Sequence, residues 1–353
     1  MIGKRLKLAR LSLGLSLDEL ENRIGQLVSA PILAQYERDE LMPNSQIFMA
    51  LAEALGVSEN FLVSQSDIQL KGLVFQKKNT LSKKNEILIE SLVLDFIERY
   101  LEIEQALNIA SQYWEIPRYC PFPIRELFNA DLTAYTMRDY WQISMNTLPH
   151  LAEFFEERGI KVLSLSLPEG VSGLTCWVNR QNNQPVPVIV INESHSGEWQ
   201  RLALSHELGH LVQKVENNVD DEQAANRFAG AFLMPVEMLW ETIGTHRRTL
   251  TMGELFELKA LFGVSIQMIT SRCHALGIIN EVTYQQLFEQ FKQRGWLTQS
   301  YHEPQPCLPE KSDRFKRLCF WALAEEIISE PKAAELLGIS IRQLNQVVAG
   351  IQV

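Results

Sequence analysis

Two histidines four residues apart, with a glutamate beside the first, are the residues of this chain best placed to do chemistry: His206-Glu207-Leu208-Gly209-His210. At helical pitch, residues four apart stand one turn apart on the same face. His206 and His210 can therefore aim two imidazoles at one metal ion. Glu207 lies about 100° round the helix, beside that face. From there a carboxylate can take a proton from an activated water instead of binding the ion. Trp199, Leu202, Ala203, Leu208, Leu211 and Val212 recur at helical spacing, which predicts an amphipathic helix around the motif. Gly209 weakens that helix; its use is room for a ligand or another backbone.

A tetrahedral catalytic zinc site takes three protein ligands and leaves one position open. The stretch Asp220 to Met234 is the element expected to supply the third. Asp220 and Asp221 suit a helix start, Ala224, Ala225, Phe228, Ala229, Phe232 and Leu233 form an apolar stripe, and Pro235 marks the stop. We assign Glu222 as the third ligand; the other use of an acid there is to favour the helix dipole. Asp221 is the nearest alternative ligand. Asn226, one turn beyond Glu222, suits orientation of a zinc-binding histidine through its second ring nitrogen.

The motif, followed by Glu222-Gln223-Ala224-Ala225-Asn226-Arg227-Phe228-Ala229 and Leu233-Met234-Pro235, resembles the ImmA/IrrE family of metallopeptidases across roughly Pro121 to Ile279. Many relatives carry a second Glu where this chain has Ala224, which leaves Glu222 as the acid matching the ligand position. The resemblance implies a zincin-like fold, a Zn2+ cofactor, and cleavage of a regulatory protein, typically a helix-turn-helix repressor, in a stress or mobile-element response. It also implies substrate binding along a strand edge.

The first 66 residues predict five short helices. Ser16 caps the second; Ser29 and Pro31 open the third; Ser45 to Leu55 is the fourth, stopped by Gly56; Ser58 caps the fifth. The string Leu6…Arg10…Gly14-Leu15-Ser16…Tyr36-Glu37…Leu55-Gly56-Val57-Ser58 is similar to helix-turn-helix domains of the phage-repressor (XRE) class, in which the third helix enters the major groove. Leu17 and Glu21 depart from the usual Gln and Ala. Lys4, Arg5, Lys7, Arg10, Arg23 and Arg38 face Asp18, Glu19, Glu21, Glu37, Asp39, Glu40, Glu53 and Glu59, a net −2. Phosphate binding needs a basic surface. The module therefore has two uses open to it, DNA binding and protein contact. Ser29, Gln35 and Arg38 are the expected DNA contacts.

Residues 71–82 are polar and basic and predict a linker, with a long helix from about Ser82 to Leu107 after it. Ile124 to Leu127 and Thr136 to Trp141 predict helices, as does Thr147 to Arg158. The period then changes to strands at Lys161 to Leu167, Gly173 to Asn179 and Pro187 to Ile191, with a turn at Gln181 to Gln184. Helices follow at Met252 to Leu261 and Ser265 to Leu276. His246 and His274 are the other histidines with a conceivable transition-state role, though a solvent or core position is the simpler expectation for each. The tail ends in a short helix–turn–helix cadence from Lys332 to Val348, expected as a packed helical hairpin.

Taken together, the expected fold is α+β and mostly helical: a helix-turn-helix domain at 1–66, a linker and connecting helix at 67–118, a zincin-like domain with a small antiparallel sheet at 119–280, and a helical region at 281–353. At 353 residues the chain has room for these parts. No apolar run approaches 18 residues, so no membrane segment is expected, nor is a signal peptide. Cys120, Cys176, Cys273, Cys307 and Cys319 are scattered, odd in number and without metal spacing, as in a reduced cytoplasmic protein. A net charge of −10 disfavours non-specific nucleic-acid binding by the whole chain.

Overall fold

A computed structural model describes residues 2–57, 59–63, 68–75, 82–109, 113–143, 147–179, 184–216, 219–297 and 303–350. The expected cap at Ser58, residues 76–81 of the expected linker and residues 181–183 of the expected turn lie outside them.

The N-terminal module consists of α1 (Gly3–Ser12), α2 (Leu17–Arg23), α3 (Ala30–Glu37), α4 (Ser45–Leu55) and α5 (Glu59–Val63). Its local signals act as expected. Ser16 and Glu19 form a capping box, Ser29 is the N-cap of α3, and Gly56 closes α4 at φ +66°. Leu6, Leu20, Leu33, Leu51 and Leu62 make its core. Leu13, the C-cap of α1, is exposed.

The next segment departs from expectation. Gln69–Phe75, read as the start of a linker, is strand β1, and it precedes the long helix α6 (Lys83–Ala106). Ile124, expected to begin a helix, ends strand β2 (Phe122–Ile124); α7 (Phe128–Tyr140) follows, then α8 (Leu151–Glu156). Strands β3 (Lys161–Leu165), β4 (Gly173–Asn179) and β5 (Val186–Asn192) lead into helix α9 (Gly197–Val212), strand β6 (Gln213–Val215) and helix α10 (Asp221–Leu233). The chain continues through α11 (Val236–Ile243), α12 (Met252–Phe262), α13 (Ile266–Ala275), α14 (Glu281–Gln293), α15 (Arg314–Ala324), α16 (Glu330–Leu337) and α17 (Ile341–Val348).

The main sheet has the order β1-β4-β5-β3. β4 is antiparallel to both neighbours, but β3 and β5 are parallel, so the sheet is mixed rather than antiparallel. β2 and β6 form a separate parallel pair. Alternation explains why β5 is apolar from Val186 to Ile191: Ile189 and Ile191 face the layer containing α9 and α10, while Val186, Val188 and Val190 face the layer of α6 and α15. The sheet is thus covered on both faces.

A buried polar cluster ties those layers together. Lys161 on β3 donates to Glu104 on α6 at 2.6 Å, Tyr100 donates to Glu156 on α8 at 2.8 Å, and Arg314 at the start of α15 reaches Glu104 at 2.5 Å. Burial pushes the Glu156 carboxyl up and the Lys161 ammonium down. The tail hairpin α16–α17 follows α15, and Arg99 on α6 donates to the carbonyl of Leu336 at 2.8 Å.

Candidate metal centre

Helix α9 was expected to be amphipathic. It is instead buried nearly all round, held between the sheet and α10. Gly209 makes the second contact possible. A Cβ there would lie 3.3 Å from both the Ala225 Cα and the Phe228 ring, so the glycine lets the backbones of α9 and α10 approach closely. That approach sets the first turn of α10 beside the two histidines. Asp220 caps α10 by accepting from the Gln223 amide at 2.8 Å, which fixes where Asp221 and Glu222 begin.

The Nε2 atoms of His206 and His210 lie 3.0 Å apart. Glu222 places Oε2 3.4 Å from the first and Oε1 3.7 Å from the second. One donor atom from each of the three residues falls within a 4.8 Å span. The remote ring nitrogens face acceptors: His206 Nδ1 meets Asn226 Oδ1 at 3.1 Å, and His210 Nδ1 meets Asp221 Oδ2 at 3.3 Å. A neutral imidazole carries its single hydrogen on the nitrogen that faces an acceptor. Both Nε2 lone pairs then point inward, together with the Glu222 carboxylate. Acceptors converging on acceptors repel unless a cation lies between them, so this donor set fits a metal ion, and two imidazoles with one carboxylate suit zinc.

The electrostatics point the same way. Burial lowers the His206 pKa, yet the hydrogen bond its ring donates to Glu222 and the charges of Glu207 and Glu222 outweigh it and leave the pKa raised. Burial lowers that of His210, and charge on His206 lowers it further. The pocket favours one positive charge and resists two on the rings.

Glu207 is fully buried, on the side of α9 that faces β4. Thr175 Oγ1 donates to its Oε2 at 2.7 Å, while Oε1 is buried without a hydrogen-bond partner. Gly173, two residues before Thr175 on the same strand face, leaves the space: a Cβ there would sit 3.3 Å from Oε1. Burial pushes the Glu207 carboxyl up to about 7, against the lowering effect of His206 and Thr175. A carboxyl near neutrality, anchored at one oxygen and free at the other, can accept and return a proton.

His206, Glu207, His210, Glu222 and Asn226 are therefore brought together. Asp221, the alternative ligand, sits behind His210 instead. Thr175 and Gly173 gave no sign in the sequence; an alternating strand just before a metal helix was the only available hint. His246 is exposed and touches Thr245, and His274 stacks on Tyr284 and meets Glu281 at 2.9 Å; both are engaged away from these groups. On the N-terminal module, Ser29, Gln35 and Arg38 lie exposed along α3, but Arg38 is closed by a two-point contact with Glu40, at 2.6 and 2.8 Å.

A histidine pair and a carboxylate with a buried acid alongside, carried on helices against a mixed sheet and preceded by a five-helix module, define a metallopeptidase-like domain joined to a helix-turn-helix domain. Residues 155–274 match Peptidase_M78, the IrrE N-terminal-like domain, and residues 6–62 match the helix-turn-helix family HTH_3. The chain thus carries an ImmA/IrrE-type peptidase domain behind an XRE-type helix-turn-helix domain. No curated protein and no solved structure matches it. Among the described residues, no helix is long and apolar enough to cross a membrane.

Proposed function

We propose that this protein is a zinc-dependent endopeptidase that cleaves a regulatory protein, a helix-turn-helix repressor, in a stress or mobile-element response in the cytoplasm. The observation that carries this reading is the convergence of His206 Nε2, His210 Nε2 and the Glu222 carboxylate beside the unpartnered Oε1 of Glu207. His206, His210 and Glu222 would hold Zn2+, with Asn226 and Asp221 fixing the two rings. Zinc in such a site supplies a Lewis acid that polarises a peptide carbonyl and acidifies water. Glu207 takes a water proton at Oε1 and delivers it to the leaving amine. Thr175 keeps the carboxylate turned so that the same oxygen serves both transfers.

The test is Glu207→Gln in the full chain, loaded with zinc and mixed with the product of the neighbouring reading frame. Metal content should be unchanged and cleavage reduced by about 10^2–10^4-fold. Cleavage at the parental rate would refute the assignment of Glu207.

A second reading, a DNA-binding regulator or antitoxin whose metal domain does not cut, draws on the N-terminal match. Against it stand the net −2 of residues 1–66 and the closed Arg38–Glu40 pair. Tight sequence-specific binding to flanking DNA without proteolysis of any repressor would favour it.

A further inference from the structure

One edge of β4 bears on access to the site. β5 occupies one side of β4, and β1 occupies the other. Without β1, β4 would be an edge strand, antiparallel to its neighbour and carrying Thr175 and Gly173, the two residues that shape the surroundings of Glu207. An extended peptide added to a sheet edge lies about 4.8 Å from the strand it joins. A peptide on this edge would therefore run one strand spacing from the residue that holds Glu207.

β1 already lies there as such a peptide would. It pairs antiparallel, with Gln69 opposite Asn179, Leu70 opposite Val178 and Lys71 opposite Trp177, and then, past an irregularity, with Val74 opposite Thr175 and Phe75 opposite Leu174. Gly72 and Leu73 stand against the single Cys176, a bulge that Gly72 accommodates at φ +64°. The ladder of β1 is therefore interrupted at its middle, whereas β4 and β5 pair in continuous register from Gly173 to Val178. Leu70 packs on the core between the sheet and α6, which gives β1 an apolar anchor on that face.

We propose that β1 occupies, in cis, the edge of β4 along which an extended substrate would lie, so that a substrate strand must displace β1. This inference rests on the peptidase reading of the site. The partner it selects is a segment that can be drawn out as a strand, apolar where Leu70 is apolar, and not a folded surface.

Two variants of the full chain test it. Leu70→Asp removes the anchor of β1. Gln69→Cys with Asn179→Cys joins two directly opposed positions, whose spacing suits a disulfide, and can be compared with itself before and after reduction. The probes are a fluorescent peptide of the sequence of residues 68–76 and, with zinc added, unfolded casein. Leu70→Asp should bind the peptide at least tenfold more tightly than the parent. The oxidised cysteine variant should cleave casein at least tenfold more slowly than its own reduced form. Equal peptide binding by parent and Leu70→Asp, or equal and measurable cleavage by oxidised and reduced forms, would overturn the proposal. If peptide binding follows release of β1 but no form cleaves, the peptidase reading fails and the edge assignment stands. If every form cleaves alike, the edge assignment fails and the peptidase reading stands.

Discussion

Helix α3 of the N-terminal module and the α9–α10 pair of the metallopeptidase-like domain each carry the polar side chains that residue type and spacing single out, and these side chains are held very differently. In α9 and α10, His206 and Glu207 are buried, each histidine has its remote nitrogen engaged, and Glu207 is anchored by Thr175. On α3, Ser29 and Gln35 stand in solvent, the Ser29 side chain makes no cap hydrogen bond, and Arg38 is neutralised by Glu40. In a low-dielectric pocket a misdirected polar group is costly, so orientation is built in. At the surface, water and a neighbouring acid satisfy the same kinds of group, and nothing commits them to DNA.

Removing His210 should break the comparison most sharply. His210→Ala should abolish cleavage and drop bound zinc from one equivalent to near none by elemental analysis, with helical content kept. Gly209→Val comes next: with neighbouring atoms already at 3.3 Å from an added Cβ, overpacking α9 against α10 should cost about 1–3 kcal/mol in denaturant unfolding. It should also weaken metal binding, because Glu222 rides on α10. Asp221→Asn acts on orientation of a ring and not on a ligand; zinc affinity by competition with a chelator should fall about 10–100-fold at nearly unchanged stability.

A smaller effect is expected at the start of α9, where Glu198 accepts from the Cys307 amide at 2.9 Å and meets Lys259 at 2.6 Å. Burial would raise its pKa, but the hydrogen bonds from Lys259 and Cys307 leave it below the ordinary 4.5. A depressed carboxylate contributes stability above its unfolded value and loses it as pH falls through the folded one. The melting temperatures of parent and Glu198→Gln should therefore differ most above about pH 5 and converge as the medium is acidified below 4.5. Least of all, Glu40→Gln frees Arg38. Non-specific DNA binding should strengthen slightly, with the salt dependence steepening by about one phosphate contact. No change would mean that α3 does not meet DNA.

Helices α9 and α10 and the caps of the N-terminal module were legible because each depends on spacing within a few residues. Ser16, Gly56 and Asp220 act through hydrogen bonds or dihedral angles inside one turn, and with Ser29 at the N-cap position of α3 they stand where local patterning puts them. β1 was not legible. Gln-Leu-Lys-Gly-Leu-Val-Phe carries a central glycine and reads as a linker; it becomes a strand because β4 offers it an edge 100 residues later. β2 is a three-residue strand for the same reason, ordered by its pairing with β6. Asp221 was considered as a ligand and stands instead against Nδ1 of His210, a distinction between the two nitrogens of a single ring that no spacing can express.

What the sequence by itself determined is the chemistry on offer: two imidazoles and an acid at helical pitch, a second helix with carboxylates in its first turn, and a five-helix module too acidic to hold phosphate easily. Tertiary structure alone decided that Glu222 meets the inner ring nitrogens while Asp221 meets an outer one, which oxygen of Glu207 is held by Thr175, and which segment covers the edge of β4. The reason is one of range: helix pitch and capping act over three or four residues, whereas desolvation, close backbone approach at Gly209 and strand pairing arise only when distant segments meet.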